Sequence, residues 1–289
     1  MIGLLASILD GVLVGAVYGL AAMGITFIWG VMNVVNLTHG AMIVAGMFGL
    51  SLLLGATGIP TYAALVPILF GGFVVGVGLY WGAIHRMIGQ PPLMSLLATF
   101  SVNLVLIGLG TAAWGTVLFN VPVSLPGLSL GRYTFPGTHI MAAVLTAVIA
   151  GALYLFLFRT RAGKAVRAVA GNREAAELVG IPTTRILALS CGLGVALAGV
   201  SGALIATLFP FTVLSGDAYQ LKSFVVTVLG GMGNPTGALV AGLALGLLEG
   251  VLTPFIPVSW TLVIEFVLFV FVLIVFPGGL LSVRFKRAL

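Results

Sequence analysis

Long apolar runs, separated by short Pro- and Gly-rich breaks, dominate the pattern of the chain. A helix needs about twenty mostly apolar residues to cross a bilayer. The predicted spans are Leu4–Val31, Leu37–Leu54, Tyr62–Ile84, Leu93–Phe119, His139–Phe158, Ile186–Leu214, Gly237–Leu252 and Trp260–Phe276, and a short ninth run is Phe224–Met232. Because the runs are continuous and do not alternate, they predict an all-α, polytopic transmembrane helix bundle of eight to nine membrane segments, and not a β-barrel.

The composition agrees with a membrane protein. The chain is 61% hydrophobic and 6% charged, whereas about 25% charge is typical of soluble proteins. We expect one membrane domain over residues 1–289. Neither Lys nor Arg precedes the first run, which is therefore predicted to be a membrane helix and not a cleaved signal peptide. The single cysteine, Cys191, lies in an apolar run and is expected to be a packed small residue.

Basic residues predict the orientation of the spans, because excess Lys and Arg mark cytoplasmic loops. The basic groups are Arg86, the block from Arg159 to Arg185, and the tail residues Arg284, Lys286 and Arg287. With these groups in the cytoplasm, the N-terminus lies outside. The net charge of +6 then reflects topology, and no nucleic-acid partner is expected.

Two loops are predicted to be external, Asn120–Thr138 and Ser215–Lys222. Each contains a basic residue that departs from the charge rule, Arg132 and Lys222. A cytoplasmic tail requires one more crossing after the second loop. We expect the short ninth run to supply it as a broken helix, with non-helical backbone near Gly230–Pro235 (GGMGNP) enclosed by protein, where such backbone is permitted at membrane depth.

Two segments, Asn36–Leu50 and Asn234–Leu247, share Asn, Thr, Gly-Ala and Ala-Gly in the same order. Paired interrupted helices are typical of an internal repeat in a transporter and point to its substrate path. Chance likeness between Gly- and Ala-rich helices explains the match equally well.

Small residues recur at four-residue spacing in three of the runs. This spacing places them on one helical face, where a neighbouring helix can approach closely. Static packing is the favoured interpretation, and sliding faces or a dimer contact are the alternatives. The triplets are Gly11-Gly15-Gly19, Gly194-Ala198-Gly202 and Gly242-Gly246-Gly250.

Carboxylates inside apolar runs are rare and informative. Glu249 and Glu265 lie in such runs, and Asp10 lies near the external end of the first. A proton-coupled transporter would use them as relays. With Lys222 assigned to an external link, no Lys or Arg is expected within the membrane to pair with them, and structural anchoring is favoured over a relay.

A polar cluster of Asn33, Asn36, Thr38 and His39 follows the first span. A capping turn explains it simply. Because Asn36 and Asn234 begin the two similar segments, we also consider Asn33, Asn36, His39 and Asn234 as candidates for the translocation pathway.

Enzyme signatures are missing from the sequence. It contains no phosphate-binding loop, no H-E-x-x-H and no Cys/His ligand spacing. We therefore expect no catalytic residues, no metal site and no cofactor in this chain.

The stretch GNREAAELVGIPTTRI and the dozen residues before it concentrate charge. They hold eight of the eighteen formal charges (12 Lys and Arg plus 6 Asp and Glu): Arg159, Arg161, Lys164, Arg167, Arg173, Glu174, Glu177 and Arg185. The pattern predicts a cytoplasmic amphipathic helix ended by Gly180-Ile181-Pro182. It fits either a helix that docks on a soluble partner or a solvated loop on anionic lipid.

The sequence Glu174-Ala175-Ala176, followed by Gly180 and Ile181, resembles the EAA loop of binding-protein-dependent ABC importer permeases. The segments GLAAMGITFIWGVMNVVNLTHGAMIVAG, RAVAGNREAAELVGIPTTRILAL and KSFVVTVLGGMGNPTGALVAGLALGLLEGV are similar to permeases for branched-chain amino acids, most of all to the shorter of their two paired subunits. The resemblance covers most of the chain, apart from the loop around Asn120–Thr138.

The resemblance implies a complex in the bacterial inner membrane. Its expected partners are two cytoplasmic ATPases that hold ATP and Mg²⁺, a second homologous permease, most simply a different chain, and a periplasmic solute-binding protein. Residues 159–185 would be the coupling loop that docks on the ATPase. Its contact residues would be Lys164, Arg167, Arg173, Glu174, Ala175, Ala176, Gly180, Ile181 and Arg185.

Other functions stay open at this point. Members of the group carry urea, short amides or aromatic acids, so the cargo is not fixed. An ion-coupled secondary transporter would use Glu249 or Glu265 and act without ATP. A membrane scaffold would hold a soluble enzyme through the charged loop and carry no solute.

Overall fold

The computed structural model describes residues 2–130, 133–276 and 278–279. Arg132 and the tail residues Arg284, Lys286 and Arg287, to which the charge rule was applied, lie outside these residues. The helices are α1 (Ile2–Met32), α2 (His39–Thr57), α3 (Leu65–Gly82), α4 (Pro92–Trp114), α5 (Gly137–Arg159), α6 (Arg161–Gly171), α7 (Arg173–Leu178), α8 (Thr183–Ala206), α9 (Ser215–Gly230), α10 (Pro235–Leu252) and α11 (Val258–Val275). Two three-residue strands, β1 (Leu128–Leu130) and β2 (Tyr133–Phe135), pair antiparallel with Leu128 opposite Phe135.

The predicted all-α membrane class is confirmed. Seven of the described helices, α1, α2, α3, α4, α5, α8 and α10, are long and apolar enough to cross a membrane. α11 contains a shorter apolar helix, Trp260–Val275, and α9 has 16 residues, of which the second half is apolar. Each predicted span corresponds to one helix, and the short ninth run is the second half of α9.

α1 and α8 form the centre of the bundle, because 83% and 89% of their apolar windows are buried. α3, α4 and α5 lie at the periphery, with 22%, 17% and 28% of their windows buried. Their exposed apolar side chains suit contact with lipid or with another membrane protein.

The first and third glycine triplets face each other across the contact between α1 and α10. A Cβ added to Gly15 would lie 2.6 Å from the carbonyl oxygen of Gly242. The two helices run antiparallel, since Gly19 faces Leu239 while Gly250 faces Ile8. This close backbone packing supports the static interpretation and agrees with opposite crossing directions for the two helices.

The region before α10 differs in part from the sequence prediction. The segment Ser215–Lys222, predicted as an external link, forms the first half of α9. Asp217 in the first turn favours this helix start, because an acidic side chain stabilises the positive end of the helix dipole. The predicted break is present: α9 ends at Gly230, Gly231 and Gly233 have φ of 89° and 86°, and α10 begins at Pro235.

Part of this turn packs against α1, although Met232 and Gly233 are exposed. Gly231 is buried, and a Cβ added to Gly30 of α1 would lie 2.7 Å from the Cα of Gly233. A larger residue at Gly30 or at Gly233 would force the turn away from α1. The glycines of GGMGNP therefore permit both the left-handed backbone and its close approach to α1.

Candidate functional site

The charged segment between α5 and α8 begins with a fixed corner. The hydroxyl of Thr160 accepts a hydrogen bond from the Gly163 amide at 2.9 Å and caps α6. The Arg167 Nε donates to the Leu157 carbonyl at 3.2 Å, and its guanidinium lies 4.4 Å from the ring centroid of Phe158. These contacts join α6 to the end of α5, so that a displacement of α6 is passed to α5.

The segment contains two helices and not the single helix predicted. Asn172 ends α6 with an extended backbone (φ −157°) and caps α7, where its Oδ1 accepts from the Ala175 amide at 3.0 Å. Asparagine is among the preferred N-cap residues because its side chain replaces a missing backbone acceptor. The sequence pattern gave Asn172 no role, although an Asn before Arg173-Glu174 is a typical helix start.

The end of α7 is a glycine-dependent turn of the Schellman type. Gly180 has a φ of 82°, its amide donates to the Glu177 carbonyl at 3.0 Å, and the Ile181 amide donates to the Ala176 carbonyl at 3.0 Å. This pair of bonds satisfies two carbonyls that the helix end would otherwise leave free. The sequence-based assignment of the turn to Gly180 is confirmed.

Glu177 joins α7 to the first turn of α8. Its Oε1 accepts from the Thr183 hydroxyl at 2.5 Å and from the Arg173 Nε at 3.3 Å. The Thr183 hydrogen bond first, and the Arg173 bond and charge next, lower the pKa of Glu177 below its ordinary value. The carboxylate is therefore ionised at neutral pH and holds the two helices together. The sequence pattern marks Glu177 only as one of the clustered charges and gives Thr183 no role.

The structure separates the predicted ATPase-contact residues into two groups. Ile181 is half-buried, and Ala176 is only 3% exposed and packs inside the chain. This corrects the assignment of Ala176 to a partner contact. The reason is that Ala176 lies on the side of the short helix α7 that faces the bundle. The exposed residues are Lys164, Arg167, Arg173, Glu174, Ala175, Gly180 and Arg185.

Two apolar side chains next to these residues are uncovered. Leu178 is 89% exposed and Val179 is 77% exposed. Together with the exposed Glu174 and Ala175 they form what we call the docking patch. Large apolar side chains this exposed within a charged segment mark a surface for contact with another protein or with the membrane. The sequence placed Leu178 and Val179 in the helix but did not single them out.

A cavity of about 440 Å³ opens beside the charged segment. It brings Asn33, from the end of α1, together with Asn172 and Arg173 of the charged segment and with Gln90 from the loop after α3. Asn33 has a φ of 53°, a left-handed conformation that Asn adopts more readily than most residues. One of the predicted pathway residues therefore lines an opening next to the predicted coupling segment.

The other predicted pathway residues lie elsewhere. Asn36 and His39 are fully buried. The Asn36 Oδ1 accepts from the Thr38 amide at 3.0 Å, and the His39 Nε2–H donates to the Ala21 carbonyl at 2.9 Å. The chain thus turns back beside α1 before α2 begins. Asn234 caps α10, where its Oδ1 accepts from the Gly237 amide at 3.0 Å, and none of these three residues lines the cavity.

The intramembrane carboxylates have a basic partner, which corrects the expectation that they lack one. The Lys222 ammonium forms ion pairs with Glu249 and, at 3.1 Å, with Glu265. The error followed from the placement of Lys222 in an external link. Asp10 pairs with His139 at 2.5 Å, and the part of the chain that the structure describes holds no cluster of three metal-ligating side chains.

Comparison with known proteins adds an independent finding. The model of the family "Branched-chain amino acid transport system / permease component" matches residues 7–273. The chain is 29% identical to the high-affinity branched-chain amino acid transport system permease protein LivH of Escherichia coli K12, over 96% of this chain and 95% of that protein. It is 27% identical to BraD of Pseudomonas aeruginosa, a permease protein of the same description, over 96% and 95%. A probable LivH of Methanocaldococcus jannaschii is 26% identical over 93% and 89%. No solved structure matches.

Proposed function

Because the chain belongs to the family of branched-chain amino acid transport permease components, we propose that it is one permease subunit of an ATP-driven importer that carries branched-chain amino acids across the bacterial inner membrane. The names of the full-length relatives support this cargo. The proposed complex adds two cytoplasmic ATPases, a second and different permease chain, and a periplasmic solute-binding protein. ATP and Mg²⁺ belong to the ATPases.

The docking patch is the observation that carries the proposal. A charged segment that joins two membrane helices presents Leu178 and Val179 to water, at 89% and 77% exposure. A soluble subunit that covers this patch would remove the apolar surface from water, which stabilises the contact. Beside these two residues, Glu174 would make a polar contact with the soluble subunit, and the small side chain of Ala175 would let that subunit approach closely.

Movement of the patch would reach the membrane helices through two joints. The Arg167 contacts hold α6 to α5, and the bonds of Glu177 hold α7 to α8. α8 lies at the centre of the bundle, so a tilt of α8 alters its contacts with α1, α2 and α3. In this mechanism ATP-driven closure of the ATPases moves the coupling segment, opens the pathway toward the docked binding protein, and is reversed by hydrolysis.

The ion-coupled alternative has less support. Lys222 holds both Glu249 and Glu265 in ion pairs, which differs from a chain of free carboxylates along one face. The relatives named above are described as components of transport systems, which agrees with a multi-subunit importer.

Leu178→Asp tests the proposal in the assembled complex. The new carboxylate would be buried in the apolar contact with the ATPase. We therefore expect co-purification of the ATPase, and leucine uptake by proteoliposomes, to fall at least tenfold. Leu128→Asp places the same charge on a residue of β1 that is 55% exposed and should leave ATPase co-purification unchanged. Normal co-purification and uptake with Leu178→Asp would contradict the proposal.

A further inference from the structure

Lys222, Glu249 and Glu265 bring three membrane helices together. The Lys222 ammonium on α9 pairs with Glu249 on α10 and with Glu265 on α11. It also lies 4.7 Å from the ring centroid of Tyr18 on α1, a distance that suits a cation–π contact. Two carboxylates therefore share one ammonium group.

Two buried polar atoms on α11, one in this cluster and one a helical turn before it, are left without a hydrogen-bond partner. The Glu265 Oε2 and the Thr261 hydroxyl have no hydrogen-bond partner among the described residues. Glu265 is 1% exposed and Thr261 is 5% exposed. Four residues apart on α11, the two side chains share one helical face. An unpaired buried carboxylate oxygen is costly within a membrane, so these atoms suit a ligand that donates hydrogen bonds.

The cluster lies at membrane depth. The Tyr219 ring of α9 lies 6.5 Å from that of Tyr18, which is at the middle of the 31-residue α1. A Cβ added to Gly216 would lie 2.9 Å from the carbonyl oxygen of Gly40. α9 therefore begins level with the middle of α1, with one side packed against α1 and α2.

One face of α9 at this depth is open and carries an acid. Leu214, Asp217 and Leu221 are exposed, and no hydrogen bond or ion pair of the Asp217 side chain occurs within the described part of the chain. A carboxylate facing lipid at this depth costs about 2.5–3.5 kcal/mol, which favours a face that meets water or a polar solute. Lys222 follows Leu221 at the edge of this face, and the side chains of Lys222 and Glu249 keep 17% and 15% exposure.

We infer that Glu249, Glu265 and Thr261 form a site for a primary ammonium group, which Lys222 fills in this structure and which the α-ammonium of an aliphatic amino acid fills during translocation. The inference rests on the proposed function and extends it to a substrate contact. An ammonium group donates three hydrogen bonds, and the carboxylates and the hydroxyl accept them. Leu214 and Leu221 offer apolar contact to the aliphatic side chain.

Removal of the Lys222 charge tests the inference directly. In the assembled complex in nanodiscs, K222M vacates the site. The probes are 3-methylbutylammonium, which is leucine without its carboxylate, and 4-methylpentanoate, which is leucine without its ammonium. We expect the amine to raise the Tm of K222M, with an apparent affinity at least tenfold higher than for the unmodified complex. The acid should not raise it.

Three further variants locate the effect. The amine-dependent shift should vanish in K222M/E265Q and weaken in K222M/T261V. It should persist in K222M/T146V, because Thr146 on α5 is also a buried threonine without a hydrogen-bond partner among the described residues. An amine shift that is absent from K222M, equal for both probes, or retained in K222M/E265Q would overturn the inference.

E265Q provides a second route should K222M fail to assemble. We expect leucine uptake per ATP hydrolysed to fall at least tenfold, while subunit stoichiometry and ATPase rate are retained. A merely structural role would lower assembly instead, and unchanged uptake per ATP would overturn the inference. If the unmodified complex carries no branched-chain amino acid, the proposed cargo is wrong, whereas the amine titrations still decide the ammonium site.

Discussion

Gly180 adopts a left-handed backbone, with a φ of 82°, at the turn that leads from α7 toward α8. A residue with a Cβ in this conformation costs about 1–2 kcal/mol. We expect Gly180→Ala to accelerate hydrogen exchange of the amides at positions 180 and 181 by about 5- to 30-fold, because these amides form the turn. Gly171→Ala is the control, since Gly171 is exposed with open space around it and its φ is not left-handed. Equal exchange in both variants would contradict the role of Gly180.

Glu177 offers a test by pH titration. Its pKa lies below the ordinary value, chiefly because Thr183 donates to it, so the link between α7 and α8 is present at neutral pH and is lost as the pH falls through this lowered pKa. Thr183→Val should raise the pKa of Glu177. The chain contains four glutamates, at positions 174, 177, 249 and 265, so ¹³C NMR of a glutamate-labelled sample resolves the titration. Glu174, which has no contact with Thr183, is the internal control, and an unchanged Glu177 curve would refute the link.

At the scale of the elements, the contact between α1 and α10 depends on residues without side chains. Gly15→Val would place a Cβ 2.6 Å from the carbonyl oxygen of Gly242, and overpacking of this kind costs about 1–3 kcal/mol. We expect a lower Tm in detergent and a lower yield of folded protein. Gly78→Val on α3 is the matched control, because open space surrounds Gly78. A Tm no lower than that of the control would show that the two helices are not packed as described.

The elements also show how far the sequence could predict the fold. Apolar run length located the long apolar helices that the structure describes, and the spacing of two glycine triplets located the close contact between α1 and α10. The start of α9 was missed because Ser215–Lys222 is polar, and hydropathy treats polar residues as loop. Depth inside a protein depends on which helices surround a segment, and this information is not local. The break at Asn172 was missed because side-chain capping competes with an otherwise continuous helical pattern.

At the scale of the whole molecule, the charged segment was located from the sequence but its surfaces were not. Resemblance and charge predicted a coupling loop at residues 159–185, yet burial decides which side chains of this segment a partner can reach. Ala176 turns inward, whereas Leu178 and Val179 turn outward. The pairing of Lys222 with Glu249 and Glu265 joins residues 27 and 43 positions apart, and no periodic pattern in one sequence reveals such contacts.

Cysteine labelling at Ala175 tests the central claim that the segment between α5 and α8 is a cytoplasmic lever held by an ATPase. Ala175 is exposed, and the native Cys191 is fully buried and gives little background. In Ala175→Cys, a membrane-impermeant maleimide should react in inside-out vesicles stripped of the ATPase and not in right-side-out vesicles. Rebinding of the ATPase should protect the cysteine. Labelling from the outer side, or labelling that the bound ATPase does not reduce, would contradict the account.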